Sequence, residues 1–272
     1  MRKNFHFISG LPRSGSTLLS VLLNQNSDVS CSEYSTPVCS LLTKALSVIS
    51  EGEYQTEFTE KQKIDTLSGI LEKYHDIENK NRVIIDNNRS WCNKLQVIDY
   101  LYPDAKIICC VRDPVWIINS FERVIGGHPT ISSKLIPIEQ RATLQQRVEY
   151  LLSPAGAFGY AWRSLQEAYF GQFASKLIIV DYDRLVTAPL KVMRSLEKSL
   201  NLSPSTYNLT DISYNPPHAY DNALGTPGLH NVSKVVKPQG NALILPPDIV
   251  SRLSGGKFWA PGSMNPRNVH II

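Results

Sequence analysis

No stretch of this sequence approaches the roughly 18 consecutive apolar residues that a membrane-spanning helix requires, which excludes a transmembrane protein as the expectation. Cysteine is scarce: there are five, an odd number that cannot all pair, and Cys109 and Cys110 are adjacent in an apolar run where a strand would send them to opposite faces. We therefore expect reduced thiols and a cytoplasmic location. The opening segment MRKNFHFISG carries two cations, but its apolar part is too short for a signal peptide. Charge of one sign is also scarce. Lys and Arg number 28 against 24 Asp and Glu, a surplus of +4, too small to point to nucleic acid yet compatible with a local basic pocket for a small anion. There is no internal repeat, and His, Cys, Asp and Glu nowhere fall at metal-site spacing, so no metal is expected. What remains is an ordinary globular composition, 42% hydrophobic over 272 residues, read as a single domain spanning 1–272.

Apolar runs and helical periodicities alternate along the chain. Phe5 to Ser9, Arg82 to Asp86, Lys106 to Val111 and Lys176 to Asp181 read as strands, and their unbroken apolar character fits strands buried on both faces. Helical spacing recurs at 16–25, 37–50, 60–74, 91–101, 114–124, 138–152, 155–173 and 189–200. The expected fold is α/β, a parallel sheet of about four or five strands with helices on both faces. The helical insert between Gly127 and Tyr169 reads as an outer layer, with a substrate-side lid as the alternative. Beyond Leu202 the pattern decays into Pro, Gly and Asn, so 203–272 is read as a loop-rich C-terminal cap.

One strand-to-helix link is chemically loaded. FISGLPRSGSTLL contains two glycines, one arginine and three hydroxyls between positions 10 and 17. Gly10 and Gly15 permit a tight backbone. The amides that open the next helix then face an anion with the helix dipole behind them. The segment resembles a Walker A loop, but Ser16 stands where the lysine that reaches the outer phosphates of a nucleoside triphosphate belongs. The loop's cation is instead Arg13, whose guanidinium can grip two oxygens or support a departing one.

The string GLPRSGSTLL is similar to the 5′-phosphosulfate loop of sulfotransferases that use 3′-phosphoadenosine 5′-phosphosulfate (PAPS), and its Arg form resembles the tyrosylprotein sulfotransferases and their bacterial relatives. The segment CVRDPVWIINSFERV resembles the same family's 3′-phosphate motif. The resemblance implies a P-loop-like sulfotransferase fold and a donor site in which Gly10, Pro12, Arg13, Ser14, Gly15, Ser16 and Thr17 hold the 5′ end, while Arg112 and Ser120 hold the 3′-phosphate. IIVDYDRLVTAPL is a third match and implies that Tyr182 sits near the adenine. TPGLHNVSKVV looks like a tail loop that closes over the donor, with Thr226, Ser233 and Lys234 in that role.

The resemblance further implies transfer of a sulfuryl group to a hydroxyl-bearing acceptor, a peptide tyrosine or a small-molecule or carbohydrate alcohol, with no nucleic acid or membrane as partner. Arg13 is the expected charge-stabilising catalytic residue. A base must take the acceptor's proton. In the tyrosylprotein enzymes a glutamate does so, and ungapped alignment from Arg13 puts it on Tyr34, so its neighbour Glu33 is the first candidate and His218 and His230 are the alternatives. Arg89, just after the second expected strand, is a candidate second cation, and Asp86 a supporting or acceptor-side group. Two rival functions stay open: a small-molecule kinase with a degenerate Walker A loop, and a nucleotide binder without turnover.

Overall fold

The computed structural model describes residues 4–75, 82–127, 132–240 and 242–272. β1 (Asn4–Gly10) leads into α1 (Ser16–Leu23), followed by β2 (Val29–Cys31), α2 (Val38–Ser50) and α3 (Glu60–Tyr74). Then come β3 (Val83–Asn87), α4 (Leu95–Leu101), β4 (Ile107–Val111) and α5 (Pro114–Gly126). The alternation continues through α6 (Leu144–Leu152), α7 (Ala157–Phe170), β5 (Leu177–Asp181), α8 (Tyr182–Thr187) and α9 (Pro189–Leu200). Past Leu202 lie α10 (His218–Ala223), α11 (Pro247–Leu253) and β6 (His270–Ile271).

The described residues form one six-stranded sheet in the order β2-β3-β1-β4-β5-β6, every pair parallel. The four longer strands lie where the apolar runs place them. The two additional strands, three and two residues long, sit at the two edges, and neither is long enough to show a period of its own.

Alternation along each strand divides the core. Ile107, Cys109 and Val111 of β4 join Phe5, Phe7 and Trp91 on one face, while Ile108 and Cys110 join Ile8, Leu19, Leu22, Val192 and Leu196 on the other. The neighbouring cysteines thus face opposite layers, and all five thiols are free and buried. Helix starts follow local chemistry. Pro114 occupies the first turn of α5, where a missing N–H costs nothing, and the Asp113 carboxylate accepts from the Val115 amide at 2.9 Å.

The insert is an outer layer in bulk: Phe158, Ala161, Leu165 and Tyr169 of α7 are buried in the core, and residues 128–131 of this stretch lie outside the described residues. The tail is tied to the body. Buried Asn119 on α5 donates to the Ala242 carbonyl at 3.0 Å and accepts from the Ile244 amide at 2.8 Å. Among the described residues no helix is long and apolar enough to cross a membrane.

Candidate active site

In an open parallel sheet, ligands bind outside the carboxyl ends of the strands where chain order reverses. Here β1 lies between β3 and β4, so that point falls at the β1–β4 boundary. The loop leaving β1 carries Arg13, and the turn leaving β4 carries Arg112. Both open onto one cleft, lined by Pro12, Arg13, Gly15, Ser16, Thr17, Arg112, Ser120 and Tyr182 together with residues of the tail. The two segments that sequence spacing singled out thus share a single cavity.

The loop is built for an anion. Gly15 has φ 85°, and a Cβ there would meet Tyr182 at 2.8 Å. Arg13 itself sits at φ 58°, a left-handed conformation that costs a non-glycine residue about 1–2 kcal/mol and is held only where surrounding contacts enforce it. The N-cap of α1 is Gly15, and no side chain caps that end, so the first-turn amides carry no side-chain acceptor.

The guanidiniums knit the two segments together. Arg13 Nε donates to Ser120 Oγ at 2.9 Å, and Arg13 Nη1 donates to the Leu229 carbonyl in the tail. Arg112 lies over the Tyr182 ring, 4.1 Å from its centroid, and its Nε is buried without a partner. Burial, followed by the nearby Arg112 charge, pushes Arg13 down to about 10, and burial also lowers Arg112. Among the described residues neither cation, nor Arg89 in the same cleft, has a carboxylate within ion-pair distance. Asp113 is turned to Lys257, at 3.1 Å. Three unpaired guanidiniums around one cleft form a field that an anion neutralises.

Opposite the loop, the tail supplies a dyad. His230 lines the cleft, and its Nδ1 lies 2.5 Å from Oδ1 of fully buried Asp221, whose Oδ2 accepts from the His230 amide at 3.0 Å. The carboxylate holds the Nδ1–H tautomer and leaves Nε2 to accept a proton. Burial lowers the His230 pKa; Asp221 opposes that shift while Arg13 and Arg89 add to it, so the ring is neutral at neutral pH. Tyr34 and Tyr220 close around it, with ring centroids 6.1 and 5.6 Å from the imidazole and 5.4 Å from each other.

Several expected positions lie away from the cleft wall. Glu33 does not line the cleft; Tyr34 does, and the Glu33 carboxylate instead accepts from Asn24 Nδ2 at 3.4 Å. Ser14 is buried, with its hydroxyl donating to the Pro12 carbonyl at 3.3 Å, and Gly10 lies beneath the loop, where a Cβ would strike the Cys110 carbonyl at 2.3 Å. Neither is a wall residue, and neither is His218. In the tail, Ser233 lines the cleft, but Lys237 takes the place expected of Lys234, and Thr226 is buried beneath, its hydroxyl unpartnered. Asp86 is a structural hub: it accepts from Thr36 Oγ1 and Trp91 Nε1, each at 2.7 Å, and lies 2.8 Å from His75 Nε2. Ungapped alignment from Arg13 reaches position 34 but passes over Tyr34 for its neighbour; Tyr220 and Asp221 escape sequence reasoning, and neither belongs to a local pattern.

A second cavity adjoins the first and shares Tyr34, Ser35, Arg89 and Tyr220 with it. Among the described residues, no group of three or more His, Cys, Asp or Glu is placed to hold a metal ion.

The sequence model described as "Sulfotransferase family" matches residues 6–205. No curated protein matches the chain. Among solved structures, the sulfotransferase domain from the curacin biosynthetic pathway superposes with a TM-score of 0.53 at 18% identity, covering 89% of this chain and 94% of that one. The sulfotransferase domain of the Synechococcus PCC 7002 olefin synthase gives a TM-score of 0.48 at 20% identity, over 89% of this chain and 92% of its own.

Proposed function

We propose that this chain, which belongs to the sulfotransferase family, moves a sulfuryl group from PAPS to the hydroxyl of an acceptor and releases adenosine 3′,5′-bisphosphate. One observation carries the reading: the Arg13 loop and the Arg112–Ser120 segment line the same cleft, with a histidine–aspartate dyad across from them. Two separate anion grips in one cleft match a nucleotide with anions at both ends of its ribose. The residues present suit such a ligand. Arg112 Nε is buried without a partner, the first-turn amides of α1 lack a side-chain cap, and Gly15 lets the loop pack against the Tyr182 ring, which a Cβ would strike.

In this reading the amides from Gly15 to Thr17 and the Ser16 and Thr17 hydroxyls hold the 5′ end. Arg112 and Ser120 hold the 3′-phosphate, and Tyr182, pinned under Arg112, borders the base. The nucleotide supplies an activated sulfuryl group on a phosphate leaving group. Arg13 supports the charge that gathers on the bridging oxygen, preorganised by its bond to Ser120. His230 Nε2 takes the proton of the acceptor hydroxyl, whose oxygen forms the new S–O bond as the bond to the phosphate oxygen breaks. The base is thus His230 in place of Glu33. The acceptor is an alcohol or phenol, and PAPS is the one co-substrate invoked.

Titration calorimetry with adenosine 3′,5′-bisphosphate in the presence of a chelator tests the donor site. Micromolar or tighter binding is expected, weakened at least tenfold by Arg112→Ala; equal affinity in that variant sinks the reading. Transfer of 35S-label from donor to acceptor tests the chemistry. It is expected to vanish in His230→Ala and to survive in Glu33→Ala, and the reverse result would return the base to Glu33.

A further inference from the structure

The second cavity is an open cleft of about 690 Å³, within the roughly 300–1,000 Å³ range of small-molecule sites. Four phenols, Tyr34, Tyr74, Tyr160 and Tyr220, dominate its wall, with small residues between them. Tyr160 is braced from outside, its hydroxyl accepting from Asn93. Arg89 is the one charged side chain among the described lining residues. It belongs to the walls of both cavities and therefore stands where they meet.

The Arg89 backbone is fixed and its side chain is unclaimed. Its carbonyl accepts from Ser9 Oγ at 2.8 Å, and the preceding Asn88 side chain donates to the Thr36 carbonyl and accepts from the Ser90 amide. The guanidinium makes no hydrogen bond and no ion pair among the described residues, although burial lowers its pKa. The phenols nearest in effect are Tyr160, on the wall of the second cavity, and Tyr220, on the wall of both. The nucleotide cleft already has Arg13 and Arg112 for its two anions. Arg89 is thus a half-buried fork without an acceptor, on the wall of a pocket of aromatic rings. Tyr34 and Tyr220, whose rings flank His230, belong to the walls of both cavities.

We infer that the second cavity is the acceptor site and that its acceptor is a hydroxy acid, an aromatic or cyclic alcohol or phenol that also bears a carboxylate, held by Arg89 in a two-pronged ion pair. This rests on the sulfuryl-transfer reading above and adds the substrate's charge. The phenols pack the ring, the cation selects the anion, and a cationic acceptor is repelled.

The test uses protein saturated with adenosine 3′,5′-bisphosphate and three matched probes: 4-hydroxyphenylacetate, its neutral amide, and the amine tyramine. Calorimetry is expected to show the acid bound at least tenfold more tightly than the amide, with tyramine weakest. Arg89→Gln should bring the acid down to the amide's affinity, and Arg89→Lys should retain part of the preference. Equal affinities for acid and amide in the native protein, no measurable binding of the acid, or a preference that survives Arg89→Gln would each overturn the inference. So would a loss of transfer in Arg89→Gln that is equal for neutral and acidic acceptors, because that places Arg89 on the transferring group. Failure of the bisphosphate itself to bind appears at the loading step and counts against the nucleotide reading instead.

Discussion

Replacing Asp221 by Asn removes one charge from a buried site and leaves its volume unchanged. The carboxylate lies 2.5 Å from His230 Nδ1, so it fixes the tautomer and, in the proposed mechanism, stabilises the imidazolium formed when Nε2 takes the acceptor proton. At a charge separation of roughly 4 Å and an effective dielectric near 20, that stabilisation is about 4 kcal/mol. If half of it is developed in the transition state, its loss raises the barrier by about 2 kcal/mol, roughly a 30-fold fall in kcat/KM. An amide that donates to Nδ1 would also flip the tautomer and silence Nε2, extending the loss toward about 10³-fold. The pH profile separates this from simple damage. His230 has a lowered pKa and must be neutral to act, so activity is lost as pH falls through a value below 6.5. Without Asp221, which opposes that lowering, the acid limb moves to still lower pH while the plateau drops. Stopped-time assays of label transfer from pH 5 to 8, with bisphosphate affinity as the folding control, measure both. A plateau within threefold of the native value, or a limb that moves to higher pH, would refute the dyad.

Three further outcomes follow from the geometry. Gly10→Ala puts a methyl 2.3 Å from the Cys110 carbonyl at φ 97° and forces β1 from β4, so a loss of more than about 4 kcal/mol or outright failure to fold is expected in denaturant titrations. Asn119→Ala cuts both ties from α5 to the tail at Ala242 and Ile244; about 1–3 kcal/mol of local stability should go, seen as faster proteolysis within 203–245 and weaker bisphosphate binding. His6 is buried, its Nδ1 accepting from the Lys106 amide at 3.0 Å, and burial lowers its pKa to about 4. Its folded pKa lies below the unfolded value of 6.5, so its contribution is intact above pH 6.5 and is lost as pH falls toward 4. The decline is up to about 3 kcal/mol, and His6→Gln should flatten that part of the stability curve.

How much of this was legible in the sequence depended on the range over which each feature is specified. The four longer strands and the Gly10–Gly15 spacing are local, and both anion loops could be read because each follows its own strand directly. Glu33 shows the limit. The facing of residues 32–36 is set by β2, whose three residues pair with Val83 to Ile85 across the sheet, and by the Ser32 amide bonding to the Ile85 carbonyl at 2.9 Å. That phase buries Cys31 and turns Tyr34 to the cleft; the count from Arg13 reaches that position, but residue chemistry favours the carboxylate beside it. The dyad is further out of reach, because Asp221 sits on the short helix α10 and meets His230 only once the turns after that helix fold the irregular tail back on it. β6 likewise exists because β5 offers an edge to two residues ninety positions later in the chain.

Placing the base on the tail couples it to the donor, and the coupling has a sign. Arg13 Nη1 donates to the carbonyl of Leu229, so the cation of the anion loop holds the residue next to His230. Arg13 and Arg89 both depress the His230 pKa. A bound anion offsets those charges and so raises the pKa of the imidazole. The imidazole therefore becomes the stronger base once the nucleotide is in place, when a proton has to be moved. NMR titration of the His230 Cε1–H should give a higher pKa with adenosine 3′,5′-bisphosphate than without it, and Arg13→Ala should raise the value in the free protein. Since kcat/KM reports the free enzyme and kcat the loaded one, the acid limb of kcat should lie at higher pH than that of kcat/KM. A bisphosphate-bound pKa equal to or below the free value would show that the tail histidine does not sense the anion, and would remove it from the reacting end of the cleft.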